Sequence, residues 1–152
     1  EIPQLFNVLI GEMSFVGPRP NVESETRMYS KVEQRILTIK PGITDFSSIV
    51  FSDEGDILEG SDDPDLKYNQ IIRPWKSRLA LLYIDNRTIM IDIKIIIWTV
   101  LGVFSKKYVL KNITNFLKSK KSDNLLIEVC KKEKKTMDFQ PPGFKKIISK
   151  RT

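Results

Sequence analysis

An apolar run at residues 88–104 constrains the fold more than any other feature of this sequence. Asp92 and Lys94 interrupt it early, and the rest is dominated by isoleucine, valine and leucine. A transmembrane helix needs about 20 apolar residues, so a run of this length is marginal and is not expected to span a bilayer. Two interpretations stay open: a helix in the protein core, or a helix lying in a membrane interface with Trp98 as its anchor.

Charge is divided unevenly along the chain. Residues 1–104 contain 11 Lys and Arg against 15 Asp and Glu, whereas residues 105–152 contain 14 against 4. We therefore predict a domain over residues 1–104 and a basic, loosely ordered C-terminal tail over residues 105–152. A basic tail suits nucleic acid, an anionic membrane leaflet or an acidic partner. The sequence lacks a recognisable nucleic-acid recognition motif and interleaved aromatic residues, so a nucleic-acid partner is not expected.

The absence of histidine limits the chemistry open to this chain. It excludes Ser-His-Asp and Cys-His catalysis and argues against a zinc site. The single cysteine, Cys130, excludes an internal disulfide and fits a reducing compartment. It lies in a polar segment, which is a poor setting for a catalytic thiol. Acid–base or nucleophilic chemistry must therefore use carboxylate, lysine or tyrosine side chains.

Proline, glycine and apolar spacing predict a compact, mainly α fold with few short strands (α+β). Under the interfacial interpretation of the apolar run, this fold would be a membrane-surface domain with interfacial amphipathic helices. Helices are predicted at residues 1–10, 21–39 and 65–84, the last opened by Pro64, bent or interrupted at Pro74 and ended near residues 85–86. Other predictions are a rigid loop at 13–20, a turn at 40–44, a short strand at 47–51, an acidic loop at 52–65, brief helical or strand pieces at 112–117 and 125–129, and irregular chain at 140–143.

Short motifs follow one another in a fixed order along the chain. They are residues 1–9 (EIPQLFNVL), 11–14 (GEMS), 16–20 (VGPRP), 40–44 (KPGIT), 83–86 (YIDN) and 92–95 (DIKI). Any one of them is weak evidence, whereas the ordered set is specific. Over about residues 1–104 the chain resembles the bacterial sugar transferase family, the monotopic polyprenyl-phosphate phosphoglycosyl transferases.

The resemblance implies a function. Enzymes of this family transfer a sugar phosphate from a nucleoside diphosphate sugar to undecaprenyl phosphate and release a nucleoside monophosphate. This step begins the assembly of exopolysaccharide, capsule, O-antigen or a protein-linked glycan. The implied setting is the cytoplasmic face of the bacterial inner membrane, with the nucleotide sugar, undecaprenyl phosphate and the membrane surface as partners. Whether the chain forms a homo-oligomer stays open.

The resemblance also implies a carboxylate and metal site. The family uses an adjacent Asp-Glu pair and Mg²⁺: the Asp attacks phosphorus to form a covalent phosphosugar intermediate, and the Glu helps to hold the metal. Glu1 matches this Glu and is the implied catalytic and metal-binding residue. The Asp would precede Glu1, as would the family's membrane-inserted helix, so residues 1–152 alone are expected to be inactive. Glu1 is expected to lie near the Pro-Arg-Pro turn at residues 18–20.

Candidate substrate-binding residues come from the VGPRP and KPGIT motifs and the helix between them. Pro18 and Pro20 flank Arg19 and leave it little conformational freedom to lose, and a planar guanidinium matches a phosphate bidentately. Pro18, Arg19 and Pro20 are therefore predicted to bind substrate phosphate. For Arg35 and Lys40, phosphate contact and ordinary surface charge stay equally open.

The sequence departs from the family pattern directly after residue 44. Family members commonly continue with Gly and an Ala-Gln-Val segment leading to Gly-Arg-Asn, whereas residues 45–53 read DFSSIVFSD. The family's Gln falls at Ser48 and its Arg near Ser52, so substrate contacts made by those residues are not carried over. The alternative function is a non-catalytic, truncated membrane-surface module that keeps the interface helix and the basic tail.

Overall fold

A computed structural model describes residues 2–19 and 23–149 of the chain. Helices dominate these residues, and the sheet has two short strands, so the predicted mainly α fold with few short strands is confirmed. The elements are α1 (Ile2–Leu9), β1 (Ser14–Val16), α2 (Glu23–Thr26), a 3₁₀ helix (Glu33–Thr38), β2 (Gly42–Thr44), α3 (Phe46–Val50), α4 (Glu54–Leu58), α5 (Pro64–Lys67), a π-helical turn (Tyr68–Ile72), α6 (Arg73–Asn86), α7 (Ile89–Phe104), α8 (Lys106–Ser119) and α9 (Asn124–Lys131).

The β1 and β2 strands pair in parallel, with Ser14 opposite Gly42 and Val16 opposite Thr44. The predicted loop at residues 13–20 and turn at 40–44 are therefore wrong over these two strands. Pro41 lies directly before β2, and its carbonyl accepts a hydrogen bond of 2.8 Å from the Ser14 amide. The proline also favours an extended conformation for its predecessor, which leads the chain into the strand. This pairing brings the VGPRP and KPGIT motifs side by side.

The helix predicted at residues 21–39 is not continuous. The described part of this segment contains α2 and, after a break, the 3₁₀ helix. Ser30 and Glu33 explain the break, because they bond reciprocally in the manner of a capping box. The Ser30 amide donates to the Glu33 carboxylate at 3.0 Å, and the Glu33 amide donates to the Ser30 hydroxyl at 3.1 Å. A new helical turn therefore starts here instead of extending α2.

Residues 46–50 form α3, so the predicted strand at residues 47–51 is wrong. Asp45 begins this helix: its carboxylate accepts from the Ser48 amide at 2.7 Å, and the Ser48 hydroxyl accepts from the Asp45 amide at 3.0 Å. This capping box outweighs the β preference of Ile49 and Val50. The predicted acidic loop that follows contains the short helix α4.

The long helix predicted from Pro64 is confirmed as the run from α5 through the π-helical turn to α6. The interruption lies directly before Pro74, as predicted. Proline has no amide hydrogen, so the Gln70 carbonyl loses its α-helical donor. The Phe139 amide supplies the missing hydrogen bond at 2.9 Å. The C-terminal segment is thereby joined to the weak point of the helix.

The apolar run at residues 88–104 forms α7, which starts at the N-cap Thr88. Ile91 and Ile95 face the core, and Trp98 is half-buried against Phe46 and Phe116 with ring centroids 6.3 and 6.2 Å away. Trp98 as an outward membrane anchor is therefore wrong. The other side of the helix, here called the apolar stripe of α7, is exposed: Ile89, Met90, Ile93, Ile96, Ile97, Val100, Leu101, Val103 and Phe104.

Across residues 2–19 and 23–149, every helix is too short or too polar to cross a bilayer.

The described part of the segment after residue 104, residues 105–149, contains two helices, α8 and α9. The prediction of loosely ordered chain is wrong over both. Their apolar residues recur at helical spacing and are buried in the main core with those of α6 and α7. The buried set is Val109, Leu110, Ile113, Leu117, Leu126, Ile127 and Cys130. The boundary of the predicted domain at residue 104 stays a prediction.

Cys130 lies on the core side of α9 and is fully buried, not in the polar setting that the sequence suggested. Burial raises the pKa of the Cys130 thiol to about 12. Such a thiol stays protonated near neutral pH and is a poor nucleophile.

The chain after α9 packs back across α6. Phe139 stacks on Trp75 with ring centroids 4.8 Å apart, and the Arg78 guanidinium lies 4.7 Å from the Phe139 centroid. Arg78 also donates to the Gln140 carbonyl at 3.0 Å. This segment has no regular helix or strand among its described residues, which confirms the irregular chain predicted at residues 140–143.

Candidate functional site

A cavity of about 260 Å³ opens beside the carboxyl ends of β1 and β2. Because the two strands run parallel, those ends meet at the same edge of the sheet. Pro18 and Arg19 follow β1 and line one side, and Asp45 and Ser48 follow β2 and line the next. Ligands of parallel sheets characteristically bind outside the carboxyl ends of the strands. The position of this cavity therefore fits a ligand site.

The opposite wall comes from α6 and the aromatic residues packed near it. Arg73, Lys76 and Ser77 contribute polar groups, and Tyr29 and Tyr68 contribute rings. The cavity thus combines cationic groups, hydroxyls and aromatic faces. Such a lining suits a phosphorylated ligand that also carries a ring.

Arg73 is committed to a buried network behind this wall. Its guanidinium donates to the Glu33 carboxylate at 2.7 and 3.1 Å, to the Asn69 side-chain oxygen at 3.0 Å and to the Met28 carbonyl at 2.8 Å. Arg73 and Glu33 are 1% and 0% exposed. Glu33 also accepts from the Ser77 hydroxyl at 2.8 Å. These bonds fix the wall in place and leave ligand binding to other cations.

Lys76 is the more available cation on α6. It is partly exposed, forms an ion pair with Glu54, and its ammonium lies 5.4 Å from the Tyr68 ring centroid. Burial, followed by the charges of Glu25 and Glu54, raises the pKa of Tyr68 well above its usual value. The Tyr68 phenol therefore stays protonated and can donate a hydrogen bond into the cavity.

The carboxylate of Asp45 has a structural role in this wall. It is 2% exposed and accepts from the Ser48 amide at 2.7 Å and the Ser47 hydroxyl at 2.6 Å. Both oxygens are used to begin α3. The helix in turn places Ser48 and Ser52 at the cavity.

The predicted site residues fall into three groups. Pro18 and Arg19 line the cavity, and Arg19 is exposed at its mouth. Arg35 is ion-paired with Asp85, with its side chain 50% exposed, and Lys40 is exposed; neither is among the residues lining the cavity. Glu1 and Pro20 lie outside the described residues. The expected proximity of Glu1 to the Pro-Arg-Pro turn therefore stays a prediction.

Sequence reasoning missed the cavity residues contributed by α6, the aromatic wall and the cap of α3. The α3 cap had a readable signal, because Asp45-x-x-Ser48 is a capping pattern. Lys76 and Tyr68 had none, since their positions depend on how the π-helical turn and α6 pack against the sheet.

The two later motifs meet behind β1. The Tyr83 hydroxyl donates to the Asp92 carboxylate at 2.7 Å and lies 3.3 Å from the Val16 carbonyl. Burial, together with the hydrogen bond to Asp92, raises the pKa of Tyr83 well above its usual value. The phenol therefore remains a donor and ties α6, α7 and β1 together just before Arg19.

The described residues do not by themselves fit a bound metal. Among residues 2–19 and 23–149, no group of three or more Asp, Glu, Cys or His side chains is placed to hold a metal ion. Asp45 and Glu54, the carboxylates in the cavity lining, are engaged with α3 and with Lys76. No catalytic step is therefore derived through a metal at these residues.

The cavity lies within the part of the chain that matches a known protein family. The sequence pattern described as "Bacterial sugar transferase" matches residues 1–106, which include all the residues lining the cavity. The chain belongs to the bacterial sugar transferase family. The resemblance seen in its ordered motifs is thereby confirmed. Within this chain, α9 and nearly all of α8 lie beyond the matched region.

Several curated sugar transferases are similar to this chain. A UDP-glucose:undecaprenyl-phosphate glucose-1-phosphate transferase of Klebsiella pneumoniae is 38% identical over 111 residues, covering 70% of this chain and 21% of that protein. The galactosyl transferase CpsE of Streptococcus agalactiae serotype III is 36% identical, covering 65% and 19%. The uncharacterized sugar transferase EpsL of Bacillus subtilis is 35% identical, covering 66% and 42%. The chain thus spans about a fifth to two fifths of these relatives.

Proposed function

We propose that this chain provides the donor-binding part of a phosphoglycosyl transferase. The enzyme would move a sugar phosphate from a nucleoside diphosphate sugar to undecaprenyl phosphate and so begin a surface polysaccharide of the exopolysaccharide, capsule or O-antigen type. The observation that carries the proposal is Arg19, exposed at the mouth of a cavity at the carboxyl ends of β1 and β2, within the family-matched region. The names of two similar proteins include UDP-glucose and galactosyl transfer, so we propose UDP-glucose and a galactose-bearing nucleotide sugar, UDP-galactose, as the donors to test.

Arg19 and Lys76 would act on the diphosphate of the donor. Overall, an oxygen of undecaprenyl phosphate becomes bonded to the sugar-bearing phosphorus, and the bond from that phosphorus to the bridging oxygen breaks. The nucleoside monophosphate leaves with the bridging oxygen and its negative charge. A guanidinium can bind two phosphate oxygens at once, and a nearby ammonium can neutralise the charge that develops on the leaving group. Lys76 would exchange Glu54 for phosphate when the donor enters.

The apolar stripe of α7 supports a position on the membrane surface. Nine apolar side chains are exposed along one side of a helix whose other side packs in the core. A contiguous exposed apolar face of this kind marks a protein or lipid contact. We propose that it rests on the cytoplasmic face of the bacterial inner membrane, where the polyprenyl acceptor would reach the cavity.

We propose that Glu1 helps to hold Mg²⁺, because the resemblance matches Glu1 to the family's metal-binding glutamate. We expect chelation of Mg²⁺ by EDTA to abolish nucleoside monophosphate release, and excess Mg²⁺ to restore it, because Mg²⁺ typically binds one or two carboxylates together with substrate phosphates. Release of monophosphate from UDP-glucose or UDP-galactose provides the measurement. In the control reaction, calcium replaces the added magnesium at the same concentration. Unchanged monophosphate release in EDTA would show that the reaction does not require magnesium.

Arg19→Ala tests the proposed donor site. Loss of a charge-assisted contact worth about 1.5–3 kcal/mol should lower kcat/KM for the donor by roughly 10- to 150-fold. The unfolding midpoint should stay almost unchanged, because Arg19 is exposed. The measurement is transfer of radiolabelled sugar phosphate from the nucleotide sugar to undecaprenyl phosphate by the intact enzyme.

Arg27→Ala is the matched control for this experiment. Arg27 is an exposed arginine whose side chain pairs with Glu23 on α2, and it is not among the cavity-lining residues. Its kinetics should stay within about twofold of the wild type, since exposed ion pairs contribute little. If Arg19→Ala behaves in the same way, the proposed contact of Arg19 with the donor fails. The non-catalytic membrane module becomes the better interpretation only if the intact wild-type protein transfers no sugar phosphate.

A further inference from the structure

A second groove, of about 880 Å³, lies between α8 and α9 and almost entirely beyond the family-matched region. Residues 105–108, at the start of α8, line one side of the groove, and residues 131–133, at the end of α9, line the other side. Its floor includes the buried Leu110 and Thr114. The donor site described above uses none of these residues.

The groove is strongly basic. Six lysines line it against one acidic residue, Glu133. Lys107, Lys111 and Lys118 are separated by four and seven positions, so they lie on one face of α8, and all three are exposed. They form a continuous cationic row along one rim of the groove.

The other three lysines are held by acidic side chains. Lys106 and Lys132 lie 3.3 and 3.1 Å from the Asp53 carboxylate, and Lys131 is paired with Glu128. Burial tends to raise the pKa of Asp53, but the hydrogen bond from Lys132 and the charges of Lys132 and Lys106 outweigh it, so the pKa is lowered. Asp53 therefore stays ionised and fixes two lysines of the groove in position.

The apolar stripe of α7 ends one residue before Ser105, the first residue that lines this groove. Its last members, Val103 and Phe104, are 82% and 83% exposed, and Tyr108 on the first turn of α8 is 56% exposed. One residue, Ser105, separates the two helices. If the stripe lies among lipid chains, the lysine row continues from it at the level of the headgroups, where tyrosine rings and lysine side chains are favoured.

We propose that this groove binds the phosphate headgroups of anionic phospholipids and so makes membrane attachment of the protein selective for an anionic leaflet. The inference rests on the membrane contact in the proposed function, and it adds a lipid class and a site. Charge complementarity and continuity with the apolar stripe favour a bilayer over a polyanion in solution. Each lysine next to an anionic surface strengthens partitioning by about fivefold, so the row of three contributes about a hundredfold.

Vesicle co-sedimentation of the purified protein tests the site. The variant K107Q/K111Q/K118Q should lose about a hundredfold in partitioning to vesicles of phosphatidylcholine with 30% phosphatidylglycerol, and change little on pure phosphatidylcholine. The control K135Q/K145Q/K146Q removes the same charge at exposed positions outside the groove, and it should lose at most severalfold. Transfer activity in detergent should be unchanged in both variants.

The outcomes separate this inference from the proposed function. If both triple variants lost the same amount of vesicle binding, or neither lost any, the assignment of the groove as a lipid site would be overturned. Attachment through α7 would still stand. If K107Q/K111Q/K118Q lost binding to vesicles containing undecaprenyl phosphate but kept its binding to vesicles containing phosphatidylglycerol, the groove would be reassigned to the acceptor. That result would overturn the inference. If K107Q/K111Q/K118Q lost as much binding to duplex DNA as to vesicles, the inference would also be overturned. No binding to any vesicle would refute the membrane contact itself, whereas transferase activity is judged by the Arg19 assay.

Discussion

Glu33→Ala is expected to lower the free energy of unfolding by about 3–5 kcal/mol, because it leaves the Arg73 guanidinium buried without its counter-ion. Arg73 is 1% exposed, so bulk water solvates its charge poorly once the carboxylate is lost. The Ser77 hydroxyl and the Ser30 amide would lose the same acceptor. Each stranded buried polar group adds a cost of its own. Urea unfolding followed by circular dichroism provides the measurement.

Two further variants make this prediction specific. Glu23→Ala removes the exposed Glu23–Arg27 pair and should cost less than about 1 kcal/mol. E33L/R73M removes both buried charges, so it should be more stable than Glu33→Ala, since the penalty comes from the unpaired charge. A Glu33→Ala protein as stable as the Glu23→Ala protein would show that the buried pair does not hold the fold.

The same pair connects the stability of the protein to its candidate site. Arg73 binds the Met28 carbonyl, and its guanidinium lies 5.2 Å from the Tyr29 ring centroid and 5.6 Å from that of Phe144. One buried cation therefore joins α6, the segment before the 3₁₀ helix and the C-terminal segment. Tyr29 is a wall of the cavity, so loosening this network would also loosen the donor site.

Elements with strong local signals could be predicted from the sequence. Helix α1 follows from its apolar spacing with Pro3 and Gly11 near its ends, α6 from Pro64 and Pro74, and α7 from a long apolar run. The strands β1 and β2 could not, because each has three residues and exists through pairing with the other across 28 positions. Helix α8 was predicted only as a brief helical or strand piece at residues 112–117, because lysines dominate its composition, although Val109, Ile113 and Leu117 recur at helical spacing.

The candidate site was predictable in part for the same physical reason. Pro18 and Arg19 stand in a motif whose rigidity is local, so they could be named as candidates from the sequence, and both line the cavity. Lys76 and Tyr68 reach the cavity through tertiary packing of α6 and the π-helical turn. Arg35 illustrates the limit: its charge suited phosphate, but the fold pairs it with Asp85.

Gly42→Ala should be the most damaging small substitution at the sheet. A β-carbon on Gly42 would lie 2.1 Å from the Gly17 nitrogen and 2.6 Å from its Cα and carbonyl oxygen. The obstructing atoms are backbone, so β1 and β2 must move apart. The Gly17 amide donates to the Thr44 carbonyl at 3.0 Å, and the Gly42 amide to the Pro18 carbonyl at 3.0 Å; both bonds would be strained. We expect a loss of about 3 kcal/mol, the upper end for overpacking.

The loss at Gly42 should extend to catalysis, because Arg19 follows β1 and Asp45 follows β2. Displacing the strands separates the guanidinium from the serines on α3, so donor turnover should fall at least tenfold even where the protein remains folded. Gly55→Ala is the matched control: its β-carbon meets nothing within 4 Å, and alanine in α4 should stabilise by about 0.4–1 kcal/mol. If Gly42→Ala unfolds at the wild-type urea concentration with normal turnover, close contact of the two glycine backbones does not position the site.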